Sequence, residues 1–167
     1  MATTANDERQ VWAALHDVPD PEIPAISVVD LGIVRSVAVA DGRIAVEIMP
    51  TFIGCPAIGI ICRDIETRLR QLSDDVTVTV TYAEQWTSER ITEQGRANLR
   101  AAGYAPPATP TPPLGENLFP LTLYPAIECP YCGSRHTRLE NPFGPTLCRA
   151  IWYCDSCRQP FEQFKAV

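Results

Sequence analysis

The spacing of apolar residues along the first half of the chain predicts one helix followed by two strands. Apolar residues recur at helical spacing over residues 7–18, which predicts a first helix. Residues 28–39 and 43–49 are rich in β-branched side chains, and the second of these segments alternates apolar with polar positions. Because Asp41-Gly42 between them is typical of a tight turn, we expect the two strands to form a hairpin.

Three further elements follow the hairpin. Pro56 suits the first position of a helix, and isoleucine and leucine recur at helical spacing from there to Leu72. Alternating valine and threonine predict a third strand over residues 76–82, and a last helix is expected over residues 88–102. The order α-β-β-α-β-α predicts an α+β fold, a small α/β sandwich whose helices pack on a three-stranded sheet.

The helical and strand patterns end where the composition changes. Seven of the sixteen prolines lie in residues 105–125. Proline fixes its own φ angle and has no amide hydrogen, so this stretch can neither continue a helix nor pair as a central strand. We therefore predict a domain over residues 1–104, a proline-rich linker over 105–125, and a second, smaller domain over 126–167.

The overall composition and charge argue against several classes of function. With 167 residues, 46% hydrophobic and 20% charged, the chain has the composition of a globular protein. A net charge of −6 argues against a general attraction to nucleic acids or to acidic membrane surfaces. No apolar run approaches the roughly 18 residues that a membrane span needs, and no apolar signal segment follows the polar start, so we expect a cytoplasmic protein.

The seven cysteines need an explanation other than disulfides, because the cytoplasm is reducing. Four of them form two Cys-x-x-Cys pairs, Cys129 with Cys132 and Cys154 with Cys157, separated by 21 residues. One tight turn directs both sulfurs of such a pair at a single ion, and two pairs complete a tetrahedron. The spacing therefore predicts a β-rich four-cysteine zinc ribbon, in which the metal is structural because no coordination position stays open.

Three alternatives stay open at this site. Redox-active dithiols or disulfides would account for the pairs without a metal, although the motif favours metal. Four thiolates suit iron as well as zinc. Cys148 is a fifth cysteine of the same segment, and it is either a buried thiol or an extra ligand. With four cysteines available, His136 is expected to be a surface residue.

Cys55 lies at the predicted start of the second helix, in Gly54-Cys55-Pro56. The positive end of the helix dipole and its free amides lower the pKa of a thiol, which favours the thiolate that binds metals or attacks electrophiles. The residues alone leave open whether Cys55 is reactive or only a small residue that fills the helix start. By contrast, Cys62 falls on the apolar stripe of the same helix and is expected to be an inert core thiol.

A short acidic segment, Asp20-Pro-Glu22, follows the first helix and is stiffened by prolines. Its carboxylates could contact a metal, a partner or the Cys55 site, or could only bond neighbouring amides. Thr51 precedes Cys55 by four residues and is a further candidate for the same site. The glycine motifs that bind phosphate or dinucleotides are missing, and His16 is predicted on the polar face of the first helix, so we do not expect an enzyme.

Several short segments along the chain together carry a family resemblance. They are Asp20-Pro-Glu22, Val29-Asp-Leu-Gly-Ile33, Thr51 with Gly54-Cys55-Pro56, the two Cys-x-x-Cys pairs, Glu93-Gln-Gly-Arg96, Phe143-Gly-Pro-Thr146 and Cys148-Arg-Ala150. With these segments the chain resembles the PaaD family of phenylacetate-degradation proteins over nearly its whole length. The N-terminal half is also similar to a widespread family of iron–sulfur assembly factors.

The resemblance implies a maturation role in aerobic phenylacetate breakdown, on behalf of the phenylacetyl-CoA ring epoxidase. In the family's setting that enzyme combines a diiron oxygenase with a reductase that contains an iron–sulfur cluster and flavin, and either component could be the client. The resemblance also implies that Cys55 is reactive and functionally required, and that Asp20 and Glu22 are its companions.

From the residues and the resemblance together we expect a maturation factor that is not an enzyme, with Cys55 as a transient ligand of iron or an iron–sulfur cluster. A lone thiolate cannot retain a cluster, so a partner or a second copy of the chain must supply further ligands. The expected partners are the epoxidase components and the iron–sulfur assembly machinery. The alternative is a noncatalytic subunit that stabilises the oxygenase complex. The client, the cluster type and the oligomeric state do not follow from the sequence.

Overall fold

The computed structural model describes residues 3–107 and 126–165. They form two compact units, one that ends at Asn98 and one that begins at Leu99. Most of the predicted linker over 105–125 lies outside the described residues. In the part of the chain that is described, no helix is both long enough and apolar enough to cross a bilayer.

The first unit combines helices with a three-stranded sheet. Its elements are α1 (Thr3–His16), β1 (Val34–Ala40), β2 (Arg43–Ile48), α2 (Ile58–Leu69), β3 (Asp75–Val80), a 3₁₀ turn (Ser88–Arg90) and α3 (Glu93–Ala101), which ends in the second unit. The hairpin of β1 and β2 is antiparallel, and β3 pairs in parallel with β2, so α2 is the crossover between β2 and β3. The predicted α+β class and element order are confirmed.

One face of this sheet packs against α1 and α2. Alternation along β2 places Ile44, Val46 and Ile48 in the core. From the helix side, α2 buries Ile65 and Leu69 completely. Burying an aliphatic side chain of this size is worth roughly 1.5–3 kcal/mol, so apolar packing on this face holds the unit together.

The predicted strand over residues 28–39 starts too early. Its beginning forms turns, one of which is closed by a hydrogen bond of 2.8 Å from Leu31 N–H to Ser27 O. Gly32 has a φ of +74°, and a Cβ there would clash with Arg90 O, so only glycine fits. The apolar residues of this segment are buried within turns, which an apolar pattern alone does not distinguish from a buried strand.

The last predicted helix, over residues 88–102, is interrupted. A 3₁₀ turn at Ser88–Arg90 is followed by an extended Ile91, and α3 starts only after Thr92. The hydroxyl of Thr92 accepts a hydrogen bond of 2.9 Å from Gly95 N–H, which caps the new helix.

The second unit is a four-stranded sheet. Its strands are β4 (Tyr104–Ala105), β5 (Thr137–Asn141), β6 (Arg149–Cys154) and β7 (Gln159–Phe164), in the spatial order β4-β7-β6-β5. The strands β5, β6 and β7 pair antiparallel, and β4 pairs in parallel with β7. The predicted β-rich C-terminal region is therefore confirmed.

The core of the second unit includes residues from both sides of the undescribed segment 108–125. Trp152 and Phe161 are buried in it together with Ala105 and Ile127. The described chain therefore leaves this core after Ala105 and rejoins the same core at Ile127.

Candidate metal centre and thiol loop

The four cysteines of the two Cys-x-x-Cys pairs come together in the second unit. Their sulfurs all lie within 4.8 Å of one another, and residues 3–107 and 126–165 contain no other such group. The sulfurs are 3.7 Å apart between Cys129 and Cys157, and 3.6 Å apart between Cys132 and Cys154. A disulfide needs about 2.0 Å, so these are four separate thiols.

The spacing of these sulfurs fits a tetrahedral metal ion. Zinc–thiolate bonds are about 2.3 Å long, which puts the sulfurs of a regular tetrahedron about 3.8 Å apart. The two pairwise distances above are close to that value. Because the protein supplies all four ligand positions, the arrangement can retain a metal but offers no open position to a substrate.

A backbone turn aims the first pair of sulfurs. Gly133 N–H donates to Cys129 O at 2.9 Å, and Cys129 N–H donates to Ser134 O at 2.9 Å. Gly133 has a φ of +71°, in the left-handed region that favours glycine. The turn after the first pair is thus built on the residue type best suited to it.

The second pair repeats this turn without a glycine. Arg158 N–H donates to Cys154 O at 2.8 Å, as Gly133 N–H does to Cys129 O. Arg158 has a φ of +59°, a conformation that costs a residue with a Cβ roughly 1–2 kcal/mol. The sequence does not reveal that Arg158 adopts this left-handed conformation, because arginine, unlike glycine, is not typical of it.

Polar contacts tie the two pairs to each other. The hydroxyl oxygens of Ser134 and Ser156 are 2.8 Å apart, and Asp155 N–H donates to His136 O at 2.9 Å. Arg138 forms an ion pair with Asp155. Contacts of this kind orient the ligands of a metal site, so each Cys-x-x-Cys turn is placed by the other.

The thiols of the group do not ionise alike. A hydrogen bond from the backbone of Cys157 is the main cause that lowers the pKa of Cys154 to about 7. Burial is the main cause that raises the pKa of the Cys157 thiol to about 12. Coordination by all four sulfurs therefore requires the release of protons.

Cys148 lies outside the four-cysteine group. Its sulfur is 3.2 Å from the hydroxyl oxygen of Thr146, and its carbonyl accepts a hydrogen bond of 2.8 Å from Lys165 N–H. The Thr146 hydroxyl also accepts a bond of 2.9 Å from Arg149 Nε. These contacts attach the loop before β6 to the end of β7.

Cys55 lies in a loop between β2 and α2. This thiol loop, residues 52–56, precedes the helix, which begins at Ile58 and thus later than predicted. Gly54 has a φ of +82°, and no atom lies within 4 Å of a Cβ placed on it. The side chain of Cys55 is half-buried, so the open space at Gly54 lies directly before a thiol with partial access to solvent.

The electrostatics at Cys55 are opposite to the prediction. Burial is the largest influence and raises the pKa of the thiol, and the carboxylates of Glu22 and Asp20 raise it further. The backbone amides of Ala57 and Ile58 lower the pKa but do not outweigh these effects. The predicted lowering is therefore wrong, because burial and two carboxylates oppose the helix start, and the neutral thiol predominates at neutral pH.

The acidic segment forms a turn near the thiol loop. Asp20 is buried, and its Oδ1 accepts hydrogen bonds from Glu22 N–H at 2.9 Å and from Ile23 N–H at 2.8 Å. Thr51 is buried at the start of the loop. Within the described residues, Asp20 and Glu22 do not form a metal-binding group with Cys55.

A buried carboxylate that the sequence does not single out supports the first unit. Asp30 Oδ2 accepts a hydrogen bond of 2.9 Å from Ser27 Oγ, and its Oδ1 accepts one of 2.6 Å from Thr92 Oγ1. His16 Nδ1 lies 3.7 Å from Asp30 Oδ2. Asp30 therefore joins the turns before β1 to the start of α3. In the sequence it is a charge within an apolar run, in the segment Val29-Asp-Leu-Gly-Ile33 that contributes to the family resemblance.

Family models match two parts of the chain. Residues 8–80 match the iron–sulfur cluster assembly protein family, and residues 117–165 match the PaaD zinc beta ribbon domain. The first match contains Cys55, and the second contains the four-cysteine group.

Known proteins resemble the chain to different extents. An Escherichia coli (strain K12) protein, named as one of the subunits of a "Putative 1,2-phenylacetyl-CoA epoxidase", is 37% identical over 169 residues, which cover 100% of this chain and 98% of that protein. The Bacillus subtilis (strain 168) "Fe-S protein maturation auxiliary factor YitW" is 27% identical over 95 residues, 55% of this chain and 92% of that protein. The crystal structure of a domain of unknown function, DUF59, from Bacillus anthracis has a TM-score of 0.55 at 27% identity, over 58% of this chain and 94% of that one.

Proposed function

The chain belongs to the PaaD family, and we propose that it is a maturation factor that assists iron or iron–sulfur cluster assembly for a phenylacetyl-CoA epoxidase. Two comparisons support the proposal: the full-length relative is named among the subunits of that epoxidase, and residues 8–80 match an iron–sulfur cluster assembly family. In this proposal the chain acts in the cytoplasm, iron or the cluster is its cargo, and it has no catalytic turnover of its own.

The observation that carries the proposal is the position of Cys55. It is a half-buried thiol in a loop, it directly follows Gly54, whose own surroundings are open, and it lies in the part of the chain that matches assembly proteins. Among the described residues it belongs to no group of metal ligands, unlike the four cysteines of the ribbon. A thiol with partial access to solvent and no complete set of ligands beside it can exchange ligands, whereas a closed four-thiolate site cannot.

Cys55 would bind the cargo through its thiolate. Because burial and the carboxylates of Glu22 and Asp20 raise the pKa of this thiol, binding of iron has to displace the proton. The same two carboxylates favour the approach of a cation. One thiolate does not retain a cluster, so the remaining ligands come from the client or from the assembly machinery, and ligation at Cys55 is transient.

The ribbon would hold a structural zinc ion. Four soft thiolates at tetrahedral spacing suit zinc, which supplies no redox chemistry, and iron is the alternative that the same donors accept. A unit of this size buries a small apolar core, so its metal supplies much of the folding energy. The folded ribbon then serves as a stable surface for partners.

The substitution Cys55→Ala tests the proposal. We expect the variant to fold and to keep its ribbon metal, but the epoxidase produced with it should contain less iron and sulfide. Phenylacetate oxidation in cells should fall to near the level of cells without the chain. Cys62→Ala, a change at a half-buried thiol of α2, is the matched control and should retain activity. Undiminished oxidation with Cys55→Ala would contradict the proposal.

A second candidate function is a noncatalytic subunit that stabilises the oxygenase complex. The observation that favours it is the naming of the full-length relative as a subunit. This function predicts that the wild-type chain and Cys55→Ala copurify equally with the oxygenase in fixed stoichiometry, and that the iron content of the complex is the same with either. A lower iron content of the complex with Cys55→Ala would support the maturation function over the structural one.

A further inference from the structure

Large apolar side chains that lie close to Cys55 in the sequence face solvent. Phe52 is 38% exposed, Ile53 is 83% exposed and Ile60 is 41% exposed. Phe52 and Ile53 precede Cys55 in the thiol loop, and Ile60 lies in the first turn of α2 behind it. A cluster of exposed apolar side chains beside a functional thiol is typical of a surface that a partner covers.

Negative charge borders this apolar surface. Glu22 is partly exposed, and its carboxylate lies close enough to Cys55 to raise the pKa of the thiol. Asp20 is buried, with its carboxylate bonded to the amides of Glu22 and Ile23. The chain also has a net charge of −6. A partner that covers the thiol loop is therefore favoured when it places a basic side chain opposite Glu22.

The charges argue against a second copy of the chain as the partner. Two copies that met at the thiol loop would bring Glu22 of one near Glu22 of the other, and like charges at an interface are costly. A different protein with a basic margin avoids this repulsion. It can also supply the ligands that the described residues do not place beside Cys55.

We propose that the thiol loop together with Ile60 is the docking surface for the client itself. The client is an apo-protein whose cluster-binding loop carries free thiols, offers an apolar patch to Ile53, and places a basic side chain opposite Glu22. This inference rests on the proposed maturation function and adds the chemistry of the partner and its contacts. Ile53 is the anchor, because it has the most apolar surface to lose on docking.

Binding measurements with the full-length chain and its ribbon metal test the docking surface. The probes are the purified reductase and the purified oxygenase of the epoxidase, each in iron-free form, titrated separately in a calorimeter. Ile53→Ser should weaken binding of the reductase, the component with an iron–sulfur cluster, by roughly tenfold to hundredfold, the cost of losing a buried aliphatic side chain. Leu72→Ser is the matched control, since Leu72 is 45% exposed in the same unit, and it should leave the affinity unchanged.

Two results would overturn the docking surface. One is equal affinity of Ile53→Ser and the wild-type chain for the component that binds. The other is failure of the reductase to bind the wild-type chain.

The dependence on salt tests the basic margin of the client. The association rate of the wild-type chain should fall as salt rises, and Glu22→Gln should associate more slowly at low salt with a weaker salt dependence. An association rate that salt does not change would overturn the proposed complementarity of charge.

Sedimentation of the chain alone tests the competing occupant, a second copy. The wild-type chain and Ile53→Ser should sediment alike. A dimer that Ile53→Ser dissociates would overturn the proposal, because the surface would then be a contact between copies.

Cys55→Ala separates the failure of this inference from the failure of the proposed function. The variant should fail to mature the client. Normal maturation by Cys55→Ala would remove the proposed function. Normal binding by Ile53→Ser, together with defective maturation by Cys55→Ala, would remove only the docking surface.

Discussion

The ribbon and the thiol loop use the same type of side chain in opposite ways. In the ribbon, two backbone turns bring four sulfurs within 4.8 Å of one another. In the thiol loop, Cys55 has no comparable group of ligands among the described residues, and two carboxylates oppose its ionisation. A metal site whose ligands all come from one chain can become part of the fold. A site for which the chain supplies only one ligand binds its cargo only together with a second molecule that supplies the others.

Removal of the ribbon metal should produce the largest effect and would test the first half of this comparison. A structural zinc site supplies roughly 10–16 kcal/mol of apparent binding free energy, which a small apolar core does not replace. We expect Cys154→Ala to lose the bound metal and the pairing of β5, β6 and β7, while the first unit stays folded. Hydrogen exchange followed by mass spectrometry checks this, with Cys148→Ala as a control that keeps its metal. Slow hydrogen exchange in β6 of the metal-free Cys154→Ala variant would contradict the expectation that the ribbon needs its metal to fold.

The stability of the first unit, which carries the thiol loop, should depend on buried hydrogen bonds, whereas the stability of the ribbon depends on its metal. Asp30→Ala leaves the hydroxyls of Ser27 and Thr92 without their buried acceptor. We expect the free energy of unfolding of the first unit to fall by about 2 kcal/mol, with no change in bound metal. Denaturant titration and metal analysis of the same samples check this. Metal loss in Asp30→Ala would show that the two sites are not independent.

The protonation of Cys55 should sharpen the comparison further. Because its pKa is raised, the thiolate fraction at pH 7 is smaller than in an unfolded chain, so iodoacetamide should label folded Cys55 more slowly. The labelling rate of Cys55 should rise with pH and level off above the raised pKa of its thiol. Glu22→Gln removes one cause of the raised pKa and should therefore speed labelling at pH 8. Mass spectrometry of the labelled peptide, with Cys62 as internal reference, measures this, and slower labelling in Glu22→Gln would contradict the charge effect.

The smallest effect should come from the turns within the ribbon. Arg158→Gly relieves a left-handed conformation, so it should raise the stability of the metal-bound ribbon by about 1 kcal/mol. Gly133→Ala places a Cβ in the equivalent turn and should lower it by a similar amount. Thermal unfolding of the two variants at equal metal saturation measures both changes. The two stability changes should have opposite signs. Changes of the same sign would mean that the two turns are not equivalent.

The sequence predicts those parts of the molecule that neighbouring residues decide. Asp41-Gly42 predicts the hairpin because the turn needs residues that tolerate its backbone angles. Alternating valine and threonine predict β3 because side chains of a strand alternate between faces. The spacing of the Cys-x-x-Cys pairs predicts the group of four sulfurs because each tight turn aims two thiols at one point.

The parts that sequence reasoning missed depend on residues far apart in the chain. Residues 28–33 are apolar enough for a strand, but Asp30 accepts a hydrogen bond from Thr92, and the segment stays in turns. The raised pKa of Cys55 likewise depends on burial and on Glu22, from a different loop. Local pattern does not encode such contacts, so the electrostatics of the thiol loop could not be predicted from the residues around Cys55 alone.

The burial of Ala105 and Ile127 in one core determines how the chain should respond to a cut. Ala105 pairs with β7 through β4, and Ile127 leads into the first Cys-x-x-Cys pair of the same unit. A single cleavage within residues 108–125 would separate β4 from the four cysteines along the chain, although Ala105 and Ile127 lie in one core. The second unit is therefore a natural place for fragment complementation, in which a piece that ends after β4 reassembles with a separately made piece that carries the whole metal site.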